Sequence, residues 1–129
     1  MTSPDLRALH VLVLEGDHES RDVLRTALEE RGAFVTTPTS LDRARALLRA
    51  VRPDVLVTDV AMLARGSVPI RELLANVRVP IIALTEPGRG SQALLGEGFT
   101  EVLERPIDPS AVCAIVQRHA LKAHGASIA

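Results

Sequence analysis

The chain has 129 residues, enough for one domain with a buried core. Hydrophobic residues make up 47%, which excludes wholesale disorder. The formal net charge is −1 and no basic block stands out, so a nucleic-acid partner for this domain alone is not expected.

Residues 1–9 read as an N-terminal extension, with no basic segment and long apolar run of the kind that marks a secretory signal. HVLVL (10–14) reads as a buried strand that runs into Glu15, Gly16 and Asp17. Val23, Leu24, Ala27 and Leu28 then recur at helical spacing over 19–31, and Gly32 stops the pattern. AFVTT (33–37) is a second strand. A second helix follows over 41–51, carrying Leu41, Ala44, Leu47, Leu48 and Val51, and Pro53 ends it. DVLVTD (54–59) is a third strand, ending in Asp59. A third helix is expected over 68–77, with Ile70, Leu73, Leu74 and Val77. PIIALT (80–85) is a fourth strand, followed by EPGRGS and a short helix over 91–96. EVLE (101–104) is a fifth strand. The last helix, 109–122, carries Val112, Ile115, Val116 and His119, and 123–129 reads as a flexible tail. Cys113 is the only cysteine and lies in that apolar helix, so a core thiol is expected.

Strands this apolar are covered on both faces, which marks a parallel sheet between helical layers. Right-handed crossovers place all the strand C-terminal ends on one edge, where ligands of such sheets bind. The residues that follow the strands are Glu15, Gly16 and Asp17, then Asp59, then Thr85 and Glu86, then Arg105 and Pro106. Carboxylates, a hydroxyl and a cation on one edge suit a divalent cation and a phosphoryl group.

In this pattern the chain resembles a response-regulator receiver domain of two-component signalling, over roughly residues 10–121. The resemblance rests on Glu15 after strand one, on Asp59-Val60-Ala61-Met62 after strand three, on Leu84-Thr85 and on Arg105-Pro106. Arg21 also stands where the family often has an arginine. It implies an α/β, flavodoxin-like three-layer sandwich with strand order 2-1-3-4-5. It implies Asp59 as phosphoacceptor and Glu15, Asp59 and the Ala61 backbone carbonyl as Mg²⁺ ligands. Thr85 and Arg105 would then contact the phosphoryl group. The domain would not be an enzyme. Its implied partners are a histidine kinase or phosphotransfer protein and an output domain, with a cytoplasmic location and a monomer or weak homodimer.

The chain also departs from the family pattern. Gly16 stands where the second acid is usual, Arg105 where lysine is usual, and Glu86 where a small residue is usual. Leu63 replaces a proline after Met62, and Val102 takes the position of a switching aromatic. Lys122, the only lysine, falls too far along the last helix to replace Arg105. The loss of one acid weakens Mg²⁺ binding and with it phosphorylation at Asp59. An atypical or pseudo-receiver acting through protein contacts is therefore expected, and a functional phosphoacceptor is the alternative. Several side chains keep two readings. Asp17 is either the N-cap of helix one or a substitute acid. Arg105 lies across the carboxylates or points to solvent, and Glu86 crowds the pocket or is solvated. Thr85 bonds a phosphoryl oxygen or caps its strand. EPGRGS forms an anion nest or a plain loop, and His18 near the pocket has no partner set for a metal. A flavin or nucleotide enzyme on the same fold is a remote alternative, because no phosphate loop follows strand one and Glu15 would repel phosphate.

Overall fold

The computed structural model describes residues 4–88 and 90–128, with side chains described as far as residue 121. The strands are β1 (His10–Leu14), β2 (Phe34–Thr36), β3 (Val55–Asp59), β4 (Ile81–Thr85) and β5 (Glu101–Glu104). The helices are α1 (His18–Glu30), α2 (Leu41–Ala50), α3 (Val60–Leu63), α4 (Ile70–Leu74), α5 (Ser91–Leu95) and α6 (Pro109–Ile128). All strand pairs are parallel, and the sheet order is β2-β1-β3-β4-β5. This is the flavodoxin-like α/β sandwich that the resemblance implies.

Successive strand side chains point to opposite faces, so each apolar strand feeds two cores. Val11, Val13, Val55, Val57, Ile82 and Leu84 meet α1 and α6 through Leu24, Leu28, Val112 and Val116. Leu12, Leu14, Leu56, Ile81 and Ala83 meet α2 to α5 through Ala44, Met62, Leu74 and Leu94. Each valine, leucine, isoleucine or methionine among them contributes about 1.5–3 kcal/mol by leaving water. Cys113 is fully buried in the first core.

Several boundaries differ from the sequence reading. Residues 1–9 are not all an extension: Leu6 and Leu9 are buried in the first core, the Leu6 N–H donates to the Arg31 carbonyl, and Leu9 accepts from Phe34. Two isolated leucines carry no periodicity, so the pattern could not show them. The helix expected over 68–77 is only Ile70–Leu74, because Pro69 starts it and the chain turns at Ala75 to Val77. A one-turn helix, α3, precedes it unseen, since four residues are too few for a period. Val23 and Val51 are exposed rather than on the apolar faces. Val51 is already the C-cap of α2, and the buried stripe of α1 is only Leu24 and Leu28 wide. Residues 123–128, read as a tail, continue α6, while Ala129 and the side chain of Lys122 lie outside the described residues.

Candidate functional site

The register aligns the strand ends. Leu14 pairs with Thr58, Asp59 with Leu84, and Thr85 with Glu104. The residues after β1, β3, β4 and β5 therefore surround one cleft, lined by Glu15, Gly16, Asp17, Asp59, Ala61, Thr85, Glu86 and Arg105. Ser20, Val60 and Arg65 complete it.

Glu15 ends β1 with its side chain 1% exposed. Its Oε1 accepts the Asp17 N–H at 3.1 Å. Its Oε2 accepts from Arg105 Nη2 at 2.5 Å. Its backbone carbonyl accepts from Arg21 Nη1 at 3.3 Å. A buried carboxylate needs such partners, because an unpaired buried charge is costly. Gly16 lies over Met62, whose Sδ would be 3.4 Å from a Cβ at that position, an ordinary contact. Asp17 caps α1, with Oδ2 accepting the Ser20 N–H at 2.8 Å. That bond, with the nearby positive charges, holds the Asp17 carboxyl below its ordinary value.

Asp59 ends β3 and caps α3, its Oδ1 accepting the Ala61 N–H at 3.2 Å. Its side chain is 15% exposed, so it is reachable from the cleft. Thr85 is buried at the end of β4, and its carbonyl accepts the Arg105 N–H at 2.8 Å. That bond anchors Arg105 opposite Asp59, and a cis peptide joins Arg105 to Pro106.

Arg105 turns inward rather than to solvent, its side chain 21% exposed. Besides Glu15, its Nη2 lies 3.6 Å from Asp59 Oδ1, and its Nε lies 3.5 Å from Glu86 Oε1. Burial disfavours the charged guanidinium, but the bond to Glu15 and the charges of Glu15, Asp59 and Glu86 more than offset it. Arg105 is held above the ordinary arginine value. Glu86 is mostly solvated, 75% exposed, while still facing Arg105.

Some predicted residues stand apart. Met62 is buried beneath Gly16 in the second core, and Val102 packs half-buried against that core. Pro106 lines a neighbouring groove with Asp17 and Arg105. His18 pairs with Arg21 and Asp22 on the exposed side of α1. Gly88 and Gly90 both take positive φ in the EPGRGS turn, and Arg89 between them lies outside the described residues. Arg65 was missed. It follows the one-turn α3, and its Nη2 would lie 3.8 Å from a Cβ on Gly16. No periodicity spans that turn, so nothing in the sequence pointed to it.

The donor set does not fit a firmly held divalent cation as it stands. Mg²⁺ wants near-octahedral oxygen ligands, usually with one or two free carboxylates. Both Glu15 oxygens are engaged, Gly16 offers none, and among the described residues no group of three or more His, Cys, Asp or Glu side chains is placed to hold a metal. What the cleft does hold is a carboxylate at Asp59 beside a fixed guanidinium.

A family model for the response regulator receiver domain matches residues 11–117. The chain is similar to an uncharacterized 14.6 kDa protein in the sodA1 3′ region of Leptolyngbya boryana, 37% identical over 122 residues, covering 90% of this chain and 93% of that protein. It is 30% identical over 123 residues to the KDP operon transcriptional regulatory protein KdpE of Escherichia coli K12, covering 93% of this chain and about half (54%) of that regulator. In fold it is similar to the signal receiver domain of a putative Luxo repressor protein from Vibrio parahaemolyticus, with TM-score 0.81, 16% identity, and coverage of 95% and 97% of the two chains. With a five-stranded 2-1-3-4-5 sheet and the family match across nearly its whole length, the chain belongs to the response-regulator receiver domains.

Proposed function

We propose that this chain is an atypical receiver, a signalling domain that docks protein partners while Arg105 occupies the place where a metal would otherwise neutralise the cleft. One observation carries the reading: the buried Glu15 carboxylate is bonded to Arg105 at 2.5 Å, and Gly16 supplies no second acid. A guanidinium is a permanent cation that matches carboxylates in a fixed fork, so it neutralises Glu15 without a metal. Mg²⁺-dependent phosphorylation of Asp59 is then weak or lost, and partners read a fixed surface. The partner classes are those of the family, a histidine kinase or phosphotransfer protein and an output domain. KdpE, a transcriptional regulator of which this chain spans about half, supports an output domain as one such partner.

The second reading is a working phosphoacceptor. It is favoured by the partial exposure of Asp59 and by Thr85 lining the same cleft. In that case the Asp59 carboxylate attacks a phosphoryl donor, an acyl phosphate forms, and the donor's leaving group departs. Intact-mass spectrometry after incubation with acetyl phosphate and Mg²⁺ separates the two, with Asp59→Asn as control. The atypical reading expects no phosphoryl adduct on the wild-type chain. An adduct that needs Asp59 and Mg²⁺ establishes the second reading instead.

A further inference from the structure

A second cleft, of about 520 Å³, lies at the opposite edge of the sheet. Its walls are the C-terminal half of α2 and the segment from α4 into β4, immediately before β3 and β4 begin. Arg45, Arg49, Arg52 and Arg78 line it, against one acidic residue, Glu72. None of these arginines makes an ion pair among the described residues, unlike Arg105 and Arg118. Arg45, Arg49 and Arg52 follow one another at i, i+4 and i+7, so they share one side of α2 and its end. Like charges at the i, i+4 spacing of Arg45 and Arg49 repel, and Glu72 is the one acid lining the same cleft. Three of the four arginines lie within residues 45–52, and Arg78 arrives from a different segment.

Arg52 adds an independent observation. Its φ is 51°, in the left-handed region, directly after the α2 C-cap Val51 and directly before Pro53. Glycine is the usual residue at that position, and a following proline narrows the choice further. A long cationic side chain stands where the local conformation favours glycine. Such conflicts between local preference and residue choice cluster at functional positions.

The floor is apolar, formed by half-buried Leu48, Leu73, Val77 and Val79. Four unpaired guanidinium forks suit phosphate oxygens, which accept two parallel N–H bonds from each arginine. Guanidinium planes also stack on aromatic rings, and Asn76 at the rim offers both an acceptor and a donor. The size falls within the range of about 300–1,000 Å³ typical of small-molecule sites. The chain's net charge is −1 while the cleft's four arginines and one glutamate carry +3, so the rest of the chain carries −4 and an extended polyanion would find no continuing basic track. We propose that this four-arginine cleft is a binding site for a nucleotide polyphosphate. The site is separate from the Asp59 cleft and stands whether or not Asp59 is phosphorylated.

The test is isothermal titration of the full chain with ATP in EDTA, alongside inorganic triphosphate, adenosine and a duplex oligonucleotide. EDTA keeps any metal at Asp59 out of the readout. The proposal expects saturable ATP binding, triphosphate weaker by about tenfold, and no saturation by adenosine. The double variant Arg49→Gln/Arg78→Gln alters two exposed side chains without ion pairs, and it should weaken ATP at least tenfold with an unchanged circular dichroism spectrum. Arg52→Gly relieves the backbone and keeps the fold, and it should weaken ATP as well. The proposal is overturned if ATP does not saturate at millimolar concentration. Triphosphate binding as tightly as ATP, the oligonucleotide binding more tightly, or ATP binding unchanged in the double variant would each overturn it too.

Discussion

Arg105→Ala removes the side chain that neutralises Glu15. Breaking a fully buried ion pair by deleting one partner costs about 3–5 kcal/mol, because the other charge is left unpaired. Here the carboxylate is 1% exposed but the guanidinium is 21% exposed. Glu15 also keeps the Asp17 N–H. Water enters where the guanidinium lay, so the expected loss falls to about 2–3 kcal/mol. Unfolding entropy of ~2.1 cal/mol/K per residue gives ~0.27 kcal/mol/K for 129 residues, hence a Tm drop of ~7–11 °C. The assay is thermal and urea unfolding of the wild type, Arg105→Ala, Glu15→Gln and the double variant in EDTA at pH 7. The cycle should return a coupling of about 2 kcal/mol between the two side chains. Mg²⁺ should then stabilise Arg105→Ala more than the wild type, because it binds only where Glu15 is free. A Tm drop under ~2 °C, or a coupling near zero, would refute the picture of Arg105 as the resident cation of this cleft.

Three further outcomes follow from the same geometry. A Cβ on Gly16 would meet Met62 Sδ at 3.4 Å, Met62 Cγ at 3.5 Å and Arg65 Nη2 at 3.8 Å, all side-chain atoms at ordinary contact distance, so Gly16→Asp should fold with a change within about 1 kcal/mol. Combined with Arg105→Lys it should gain Mg²⁺-dependent phosphorylation at Asp59, read as a mass adduct with acetyl phosphate. Glu101 accepts from His119 Nε2 at 2.8 Å and from Arg118 Nη2 at 2.9 Å, and the His119 bond foremost holds its carboxyl below the ordinary value of 4.5. A depressed folded-state pKa stabilises the protein above the unfolded value and stops doing so as pH falls through the folded one. Glu101→Gln should therefore cost about 1 kcal/mol at pH 7, and the difference should close below pH 4.5, as read from urea midpoints. Burial pushes the Cys113 thiol up, so an aromatic disulfide reagent should label it only as fast as the protein unfolds, and rapid labelling of the native chain would contradict its place in the core.

The strands were legible because each is a short apolar run between turn signals, and the site because its residues directly follow those runs. Asp59 and Thr85 needed no tertiary information to be found at the carboxyl edge. Arg105 did. Its partner Glu15 lies 90 residues away in the chain, and a long cationic side chain looks the same in sequence whether it is solvated or inward. Arg65 and α3 were invisible because one helical turn has no period. Leu6 and Leu9 were invisible because two leucines in a polar segment do not make a pattern, although both are buried. The four-arginine cleft was invisible for a third reason. Arg45, Arg49 and Arg52 sit in one stretch that reads as an ordinary solvated helix face, and only the fold adds Arg78 and the apolar residues between them.

The identity of residue 105 bears on shape as much as on charge. Nη2 serves Glu15 at 2.5 Å and faces Asp59 at 3.6 Å, while Nε faces Glu86 at 3.5 Å. Two separate nitrogens of one planar fork thus look toward three carboxylates. A lysine ammonium is a single point on a flexible stem, so it cannot face Glu86 from one atom while bonding Glu15 from another. A dication at the mouth of the cleft would claim the same Glu15 and Asp59 oxygens. On the proposed reading guanidinium and metal compete for one place, and the balance between them depends on how many carboxylate oxygens remain once Arg105 is satisfied. With a second acid beside Glu15, enough oxygens would remain for a metal. On the proposed reading, Gly16 leaves that acid out, and Arg105, bonded to Glu15, holds the cleft instead.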